Sequence, residues 1–511
     1  MIPSRVDRGR AGREGARRID RRIDRRIDRR TLLRRGGAVA VGAAGLALVG
    51  CGDDDDRAAG SSSAVESATA QSQLAEQSQA AQVQAEPTAT SRRLLMPDRV
   101  CDDCTLEDPA FEALGGARAF SGVADGAAYR IEIPDNWNGT LILWGRGFGG
   151  LNDASTDFES HLGFGGFPPG RGVLVPLGVG WAASTYAATG YVPARGVDDL
   201  LRAKEIVTAE VGPPERTYCM GASMGGATAQ IMAQEFPDEI DGALALCGAL
   251  SNAEVVDYLV GWHALAHWLI GDAPASADAA GLLAWAGALG RVDEDVLTLT
   301  ARGEQFAALI EDLSGGPRWG FREGLAQQWQ VNFALGAAYW PTILSAGPPG
   351  PGAIIAHDGA LMAFDTRAVV YGARPDAGID LERLNAELMR FRAPAALRTD
   401  PALGVASGRL DVPLLTVKTT GDLWTPLSLD RSYARRVIGA GNGANLVQRA
   451  VRRAGHCRFS EVEEGLRAFF DLVRWVTEGE RPEGEDLTRS DLSAAGRDFT
   501  DPFDDGDPFA P

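Results

Sequence analysis

Tyr218-Cys219-Met220-Gly221-Ala222-Ser223-Met224-Gly225-Gly226 decides the fold, and it holds the only G-x-S-x-G in the sequence. Ahead of it a helical run spans Val197 to Val211, Gly212-Pro213-Pro214 breaks it, and Arg216 to Met220 reads as a short strand. Behind it, Ala227 to Phe236 is Ala-rich, apolar every three or four residues, and stops before Pro237. Strand, tight turn and helix is the setting in which this pentapeptide presents a nucleophile. The reason is steric. A serine at the apex of so sharp a turn sits in strained backbone space, and glycine two residues to either side lets strand and helix close on each other. The hydroxyl is lifted clear of the sheet, and the next backbone N–H is aimed at the reacting oxygen.

Upstream, Ala128 to Ile133 alternates as a strand, Asn136-Trp137-Asn138-Gly139 turns the chain, and Thr140 to Trp144 is a buried strand. Gly145-Arg146-Gly147-Phe148-Gly149-Gly150 then has G-x-G-x-x-G spacing. A dinucleotide site needs a helix straight after the glycines and an acid closing the following strand. Leu151-Asn152-Asp153-Ala154 is loop-like, and the next strand, expected over Gly172 to Pro176, ends without an acid, which excludes that site. Gly180 to Ser184 forms the strand's exit, with Tyr186 and Tyr191 in the loop beyond. Downstream, Asp241 to Leu246 and Val412 to Lys418 read as strands, Leu429 to Ile438 as a helix, and Asn445 to Val451 as the last strand. Ser460 to Glu478 is an amphipathic closing helix. Between Asn252 and about Ser407 the period is largely helical, and six of the eleven tryptophans fall there, so most are expected in a core and one or two in an apolar pocket.

Together these elements resemble the α/β-hydrolase superfamily over about 120–250 and 410–478. The resemblance implies an α/β fold with a mostly parallel central sheet flanked by helices, and a large helical cap inserted between strands six and seven. The expected partition is a signal peptide over 1–50, a lipidated, disordered tether over 51–118, the core over 119–251 and 409–478, the cap over 252–408, and a loosely attached acidic tail over 479–511.

A serine hydroxyl attacks only when an imidazole takes its proton, and the imidazole needs a carboxylate to fix its tautomer. Of the five histidines, His456 alone follows the last strand, behind Gly455. His263 and His267, one turn apart, lack the Glu of a metal-binding H-E-x-x-H and read as core or pocket. His161 lies in a Gly-rich loop and His357 inside the cap. The acid is Asp422, in the turn after strand seven; Glu254, after strand six, is the runner-up, and Asp411 precedes its strand at the wrong edge. In this superfamily the order nucleophile, acid, histidine is the expected one. The loop after the third strand often reads His-Gly there and reads Arg146-Gly147 here. A main-chain donor survives the change, and Phe148 is favoured for the oxyanion hole alongside Met224. Cys247 ends strand six and Cys457 follows the histidine; a disulfide between them would pin the histidine loop, similar in spirit to tannase and feruloyl-esterase enzymes. In those the partner cysteine abuts the serine, whereas Ala222 does here, so that subfamily is not supported. Cys219 is left as a buried thiol.

The formal net charge is −19, yet residues 1–50 carry fourteen Arg against five acids, which leaves the rest near −28. So acidic a body repels phosphate and excludes nucleic acid as a partner. Arg29-Arg30-Thr31-Leu32-Leu33-Arg34 resembles a twin-arginine export signal, and Leu48-Val49-Gly50-Cys51 resembles a lipobox. The expectation is an exported protein anchored to the cell envelope by a lipid on Cys51. Gly60 to Ser91 has the Ser/Ala/Gln composition of a tether. Cys101-Asp102-Asp103-Cys104 is expected as a local disulfide, lacking a second pair for zinc. The function implied is hydrolysis of an apolar or aromatic carboxylic ester by acyl transfer to water, with neither metal nor organic cofactor. The alternatives are a serine peptidase, for which Glu311-Asp312 is a candidate amine-binding pair, and a non-catalytic binding lipoprotein.

Overall fold

A computed structural model describes residues 109–148, 167–187, 191–293, 296–336, 364–402 and 404–501. Chain contacts divide the protein into two units, of which 23–93 lies wholly outside the described residues. Cys51, Cys101, Cys104, His161, Trp340 and His357 also lie outside them.

Eight strands form one sheet in the order β1-β2-β4-β3-β5-β6-β9-β10. They are β1 (Ala117–Ala124), β2 (Ala127–Pro134), β3 (Thr140–Gly145), β4 (Val179–Ser184), β5 (Arg216–Ala222), β6 (Gly242–Leu246), β9 (Leu414–Gly421) and β10 (Leu446–Ala454). β2 runs antiparallel to both β1 and β4, and every other pairing is parallel. This is the α/β-hydrolase fold. The central strands β3 and β6 are buried along their whole length and β5 at every residue after Arg216, as parallel strands covered on both faces must be. In chain order the described helices are α1 (Arg171–Leu174), α2 (Pro193–Glu210), α3 (Met224–Glu235), α4 (Asn252–Ile270), α5 (Ala279–Ala286), α6 (Ala301–Leu313), α7 (Phe321–Leu335), α8 (Leu381–Glu387), α9 (Ala395–Arg398), α10 (Leu427–Gly439) and α11 (Arg467–Glu478). One face of the sheet buries Leu200, Ile231 and Tyr433 from α2, α3 and α10; the other buries Phe469, Leu472 and Trp475 from α11.

Several elements differ from expectation. The segment Gly172 to Pro176 is helical, and the strand begins only at Val179, because Pro176 offers no N–H to a ladder and Gly178, at φ 89°, turns the chain. β1 was not foreseen: among its small residues only Phe120 and Val123 are strand formers, but Asp125-Gly126, with φ 51° and 83°, makes a tight hairpin that pairs it with β2. Ordered packing also starts before residue 119, since the Leu114 N–H bonds Glu132 Oε1 at 2.7 Å and Phe111 packs on Trp181. The closing helix opens with a π-helical turn, Glu461–Leu466. The tail is not loose over its described part: Leu487, Leu492 and Ala495 are buried against Leu427 and Ala450.

Between β6 and β9, the sixth and seventh strands of the sheet, lies the inserted segment. It holds helices, as the largely helical period led one to expect, and also a hairpin, β7 (Gly290–Asp293) with β8 (Val296–Leu299), that was not expected. Trp262 and Trp329 sit in its core, and Trp268 and Trp285 pack against that core. The insertion touches the sheet backbone to backbone: a Cβ on Gly324 would fall 2.0 Å from the Gly421 oxygen. That contact is directly beside Asp422.

Candidate active site

Ser223 stands between β5 and α3 at φ 57° and ψ −117°, left-handed backbone that a non-glycine residue rarely adopts. Its neighbours explain why the turn survives. A Cβ on Gly221 would meet the Gly225 oxygen at 2.1 Å, and one on Gly225 would meet the Gly145 oxygen at 2.0 Å. Both glycines are steric requirements. The Ser223 N–H is held by Leu246 O at 2.9 Å, and its carbonyl accepts from the Gly226 and Ala249 N–H groups.

Asp422 follows β9 and His456 follows β10, so both reach the site from the carboxyl ends of parallel strands, as Ser223 does. His456 Nε2 lies 2.7 Å from Ser223 Oγ, and His456 Nδ1 lies 2.7 Å from Asp422 Oδ2. The structure therefore brings together the three side chains singled out by sequence. Burial alone would push the Asp422 carboxyl up, but the facing His456 ring, its hydrogen bond and the nearby Lys418 ammonium outweigh burial and hold it below its usual range. The acid loop is fixed from several sides. Asp422 Oδ1 accepts from the Trp424 and Thr425 N–H groups at 2.9 and 3.0 Å, and Gln328 of the insertion bridges Gly421 O and the Leu423 N–H at 2.8 Å each. Tyr258 and Asn332 donate to Leu423 O. Trp424 lies against the imidazole, with ring centroids 5.0 Å apart.

Glu254 is engaged elsewhere: Arg436 at 2.6 Å and Ser432 at 2.7 Å hold it. Asp411 is exposed ahead of β9, at the opposite edge of the sheet. His263 is a core residue, its Nδ1 2.9 Å from Leu259 O and burial pushing its ring down to about 4. Cys247 and Cys457 form a disulfide with Cα atoms 5.3 Å apart, tying the histidine loop to the end of β6. Cys219 is a free buried thiol. The sulfurs of that disulfide and His456 are the one cluster of metal-ligating atom types among the described residues. A bonded disulfide offers no thiolate, so this is not a metal site.

For an oxyanion, the Arg146 N–H is unavailable because it donates to Tyr186 Oη at 3.1 Å. The Phe148 and Met224 N–H groups have no partner among the described residues. Phe148 and Ser223 both line a cleft of ≈ 570 Å³, its open mouth included. Its other described walls are apolar or aromatic, chiefly Tyr191, Val255, Leu259 and Trp424, with Thr425 the remaining polar member and no charged side chain among them. None of the five described tryptophans of the insertion lines it; Trp424, from the acid loop, takes that place. Tyr191, on the wall, donates to Asn252 at 3.0 Å. Sequence reasoning missed Gln328, Tyr258, Asn332 and Thr425, which no local motif marks.

No family model matches the chain. The chain is similar to an o-phthalyl amidase from Xanthobacter agilis, 24% identical over 421 residues that cover 71% of this chain and 87% of that protein. Among solved structures it is similar to feruloyl esterase B from Aspergillus oryzae, 15% identical, covering 71% of this chain and 80% of that one at a TM-score of 0.35. It is also similar to Candida antarctica lipase A in its closed state, 14% identical, covering 71% and 78% of the two chains at a TM-score of 0.36.

Proposed function

We propose that the chain is a serine hydrolase that cleaves apolar or aromatic carboxylic esters through an acyl-enzyme. The observation that carries this is the continuous contact from Ser223 Oγ through His456 to a buried Asp422, at 2.7 Å for each link. Ser223 Oγ attacks the carbonyl carbon while His456 Nε2 takes its proton. The carbonyl oxygen, now an anion, lies toward the Phe148 and Met224 N–H groups. His456 returns the proton to the leaving alcohol as the tetrahedral centre collapses. Water then adds to the acyl carbon as His456 takes its proton; the bond to Ser223 Oγ breaks, His456 returns the proton to that oxygen, and the acid leaves. Asp422 steadies the imidazolium in both steps. The absence of charge on the described cleft walls favours a neutral acyl group, since a charged one would be desolvated without a partner there.

A second reading, an amide bond in place of the ester, is favoured by the likeness to an o-phthalyl amidase. The peptidase reading has less support. Glu311 is paired with Arg374 at 3.8 Å, and neither Glu311 nor Asp312 lines the cleft. Turnover of p-nitrophenyl esters from acetate to palmitate, beside the matching p-nitroanilides and a phthalyl monoamide, separates the readings. Ester cleavage with a chain-length optimum supports the first; amide cleavage with inert esters replaces it with the second. We also propose lipid anchoring at Cys51; Cys51→Ser should then move the expressed protein from the membrane fraction to the soluble one.

A further inference from the structure

Lys418 lies inside β9, four residues before Asp422, its side chain 1% exposed and 3.2 Å from Asp430, which is 0% exposed. An ammonium so buried is costly unless its N–H groups find acceptors. Here Nζ donates to Gly248 O at 2.6 Å and to Thr425 O at 2.8 Å, and lies 3.1 Å from Thr425 Oγ1. Both targets belong to the loops that build the site. Gly248 packs on the first turn of the nucleophile helix, where a Cβ on Gly226 would come within 2.4 Å of its Cα. Thr425 lies three residues past Asp422. One compact cation thus ties the end of β6, the start of α3 and the acid loop, which a planar guanidinium suits poorly.

The Thr425 hydroxyl lies 2.9 Å from Asp422 Oδ2, 2.9 Å from Cys247 O and 3.5 Å from His456 Nδ1. A hydroxyl has one proton to give and lone pairs to receive. With Lys418 donating into the oxygen, that proton is turned away from Lys418, toward Asp422 and Cys247. Given to Asp422, it completes the carboxylate's partners: two backbone N–H groups on Oδ1, and the hydroxyl with the imidazole on Oδ2. We propose that Thr425, locked by the buried Lys418–Asp430 pair, is a positioning residue that holds the Asp422 carboxylate in register with His456. The proposal rests on Ser223 being the nucleophile.

The test is inactivation by diisopropyl fluorophosphate, which needs an activated serine but no known substrate. The Oγ–P bond forms, the P–F bond breaks, fluoride leaves, and the serine proton passes to His456. Wild type, Thr425→Val, Thr425→Ser and the double variant Lys418→Met/Asp430→Asn are compared; the double variant removes both buried charges, so neither is stranded. Thr425→Val should lower the maximal inactivation rate by about ten- to a hundredfold at unchanged inhibitor affinity, the scale of a small misplacement of a catalytic group. Thr425→Ser should restore most of that rate. The double variant should slow like Thr425→Val while keeping a cooperative thermal transition. Equal rates for wild type and Thr425→Val, or a Thr425→Ser as slow as Thr425→Val, overturn the positioning role alone. A wild type that is never labelled overturns the nucleophile and this proposal together.

Discussion

Ser223 stays at φ 57° because Gly221, Gly225 and Gly145 bring three backbone segments closer than any side chain allows. That much was legible, since the strand, turn and helix around Ser223 are local in sequence, as are the turns carrying Asp422 and His456. Thr425, Lys418 and Gln328 were not, because their partners lie on other elements and no spacing reports them. Asp422→Asn keeps the shape of the acid but no longer stabilises the imidazolium or enforces its tautomer. It should lower kcat by about ten-thousandfold with little change in thermal stability; a loss under tenfold would point to another acid. His263 gives a pH-dependent stability. Burial depresses its pKa to about 4, below the roughly 6.5 of an unfolded chain, so the unfolded state binds the proton first. The stabilisation by the neutral ring is whole above about pH 6.5 and is lost as pH falls toward about 4. The difference in denaturation midpoint between wild type and His263→Leu should therefore narrow as pH is lowered through that window; a constant difference contradicts it.

At the scale of elements, the parallel core strands declared themselves by apolar runs, while β1 and the Gly172–Pro176 segment did not. The first has little side-chain signal, and the second carries valine and leucine on a turn that Pro176 and Gly178 enforce. The tail misled by composition: Glu480, Glu483, Asp486 and Asp491 are exposed, but Leu487 and Leu492 pack against β10 and α10, and Glu485 N bonds Gln448 O at 2.7 Å along the edge of the sheet. Leu487→Ala should cost about 2–5 kcal/mol in chemical denaturation, the range for a buried leucine. A change under about 0.5 kcal/mol, usual for surface sites, would return the tail to a loose attachment. The Cys247–Cys457 bond joins the ends of two strands across 210 residues of sequence, with both cysteines in left-handed backbone, φ 42° and 54°. Replacing both by serine should cost about 2–5 kcal/mol and lower kcat with KM held. An unchanged kcat would reduce the bond to a staple.

The whole molecule places a cleft whose described walls carry no charge at the carboxyl edge of the sheet's parallel strands, with the insertion between β6 and β9 supplying Val255, Leu259 and Leu335 to its wall. The fold was legible from one pentapeptide and the rhythm of strands around it. The size and lining of the cleft were not, because they depend on how α4, α7 and the acid loop meet. Trp424 makes the point: the tryptophan-rich segment drew attention to itself, yet the described tryptophan at the cleft comes from beside Asp422. The measurement that bears most directly on the function is p-nitrophenyl butyrate hydrolysis by wild type and Ser223→Ala, purified in parallel and matched for thermal unfolding. Loss of the nucleophile should lower kcat by about a millionfold, down to the residual rate that binding and the oxyanion donors sustain alone. A Ser223→Ala protein within tenfold of wild type would show that the hydroxyl at the apex of the turn is not the group that attacks.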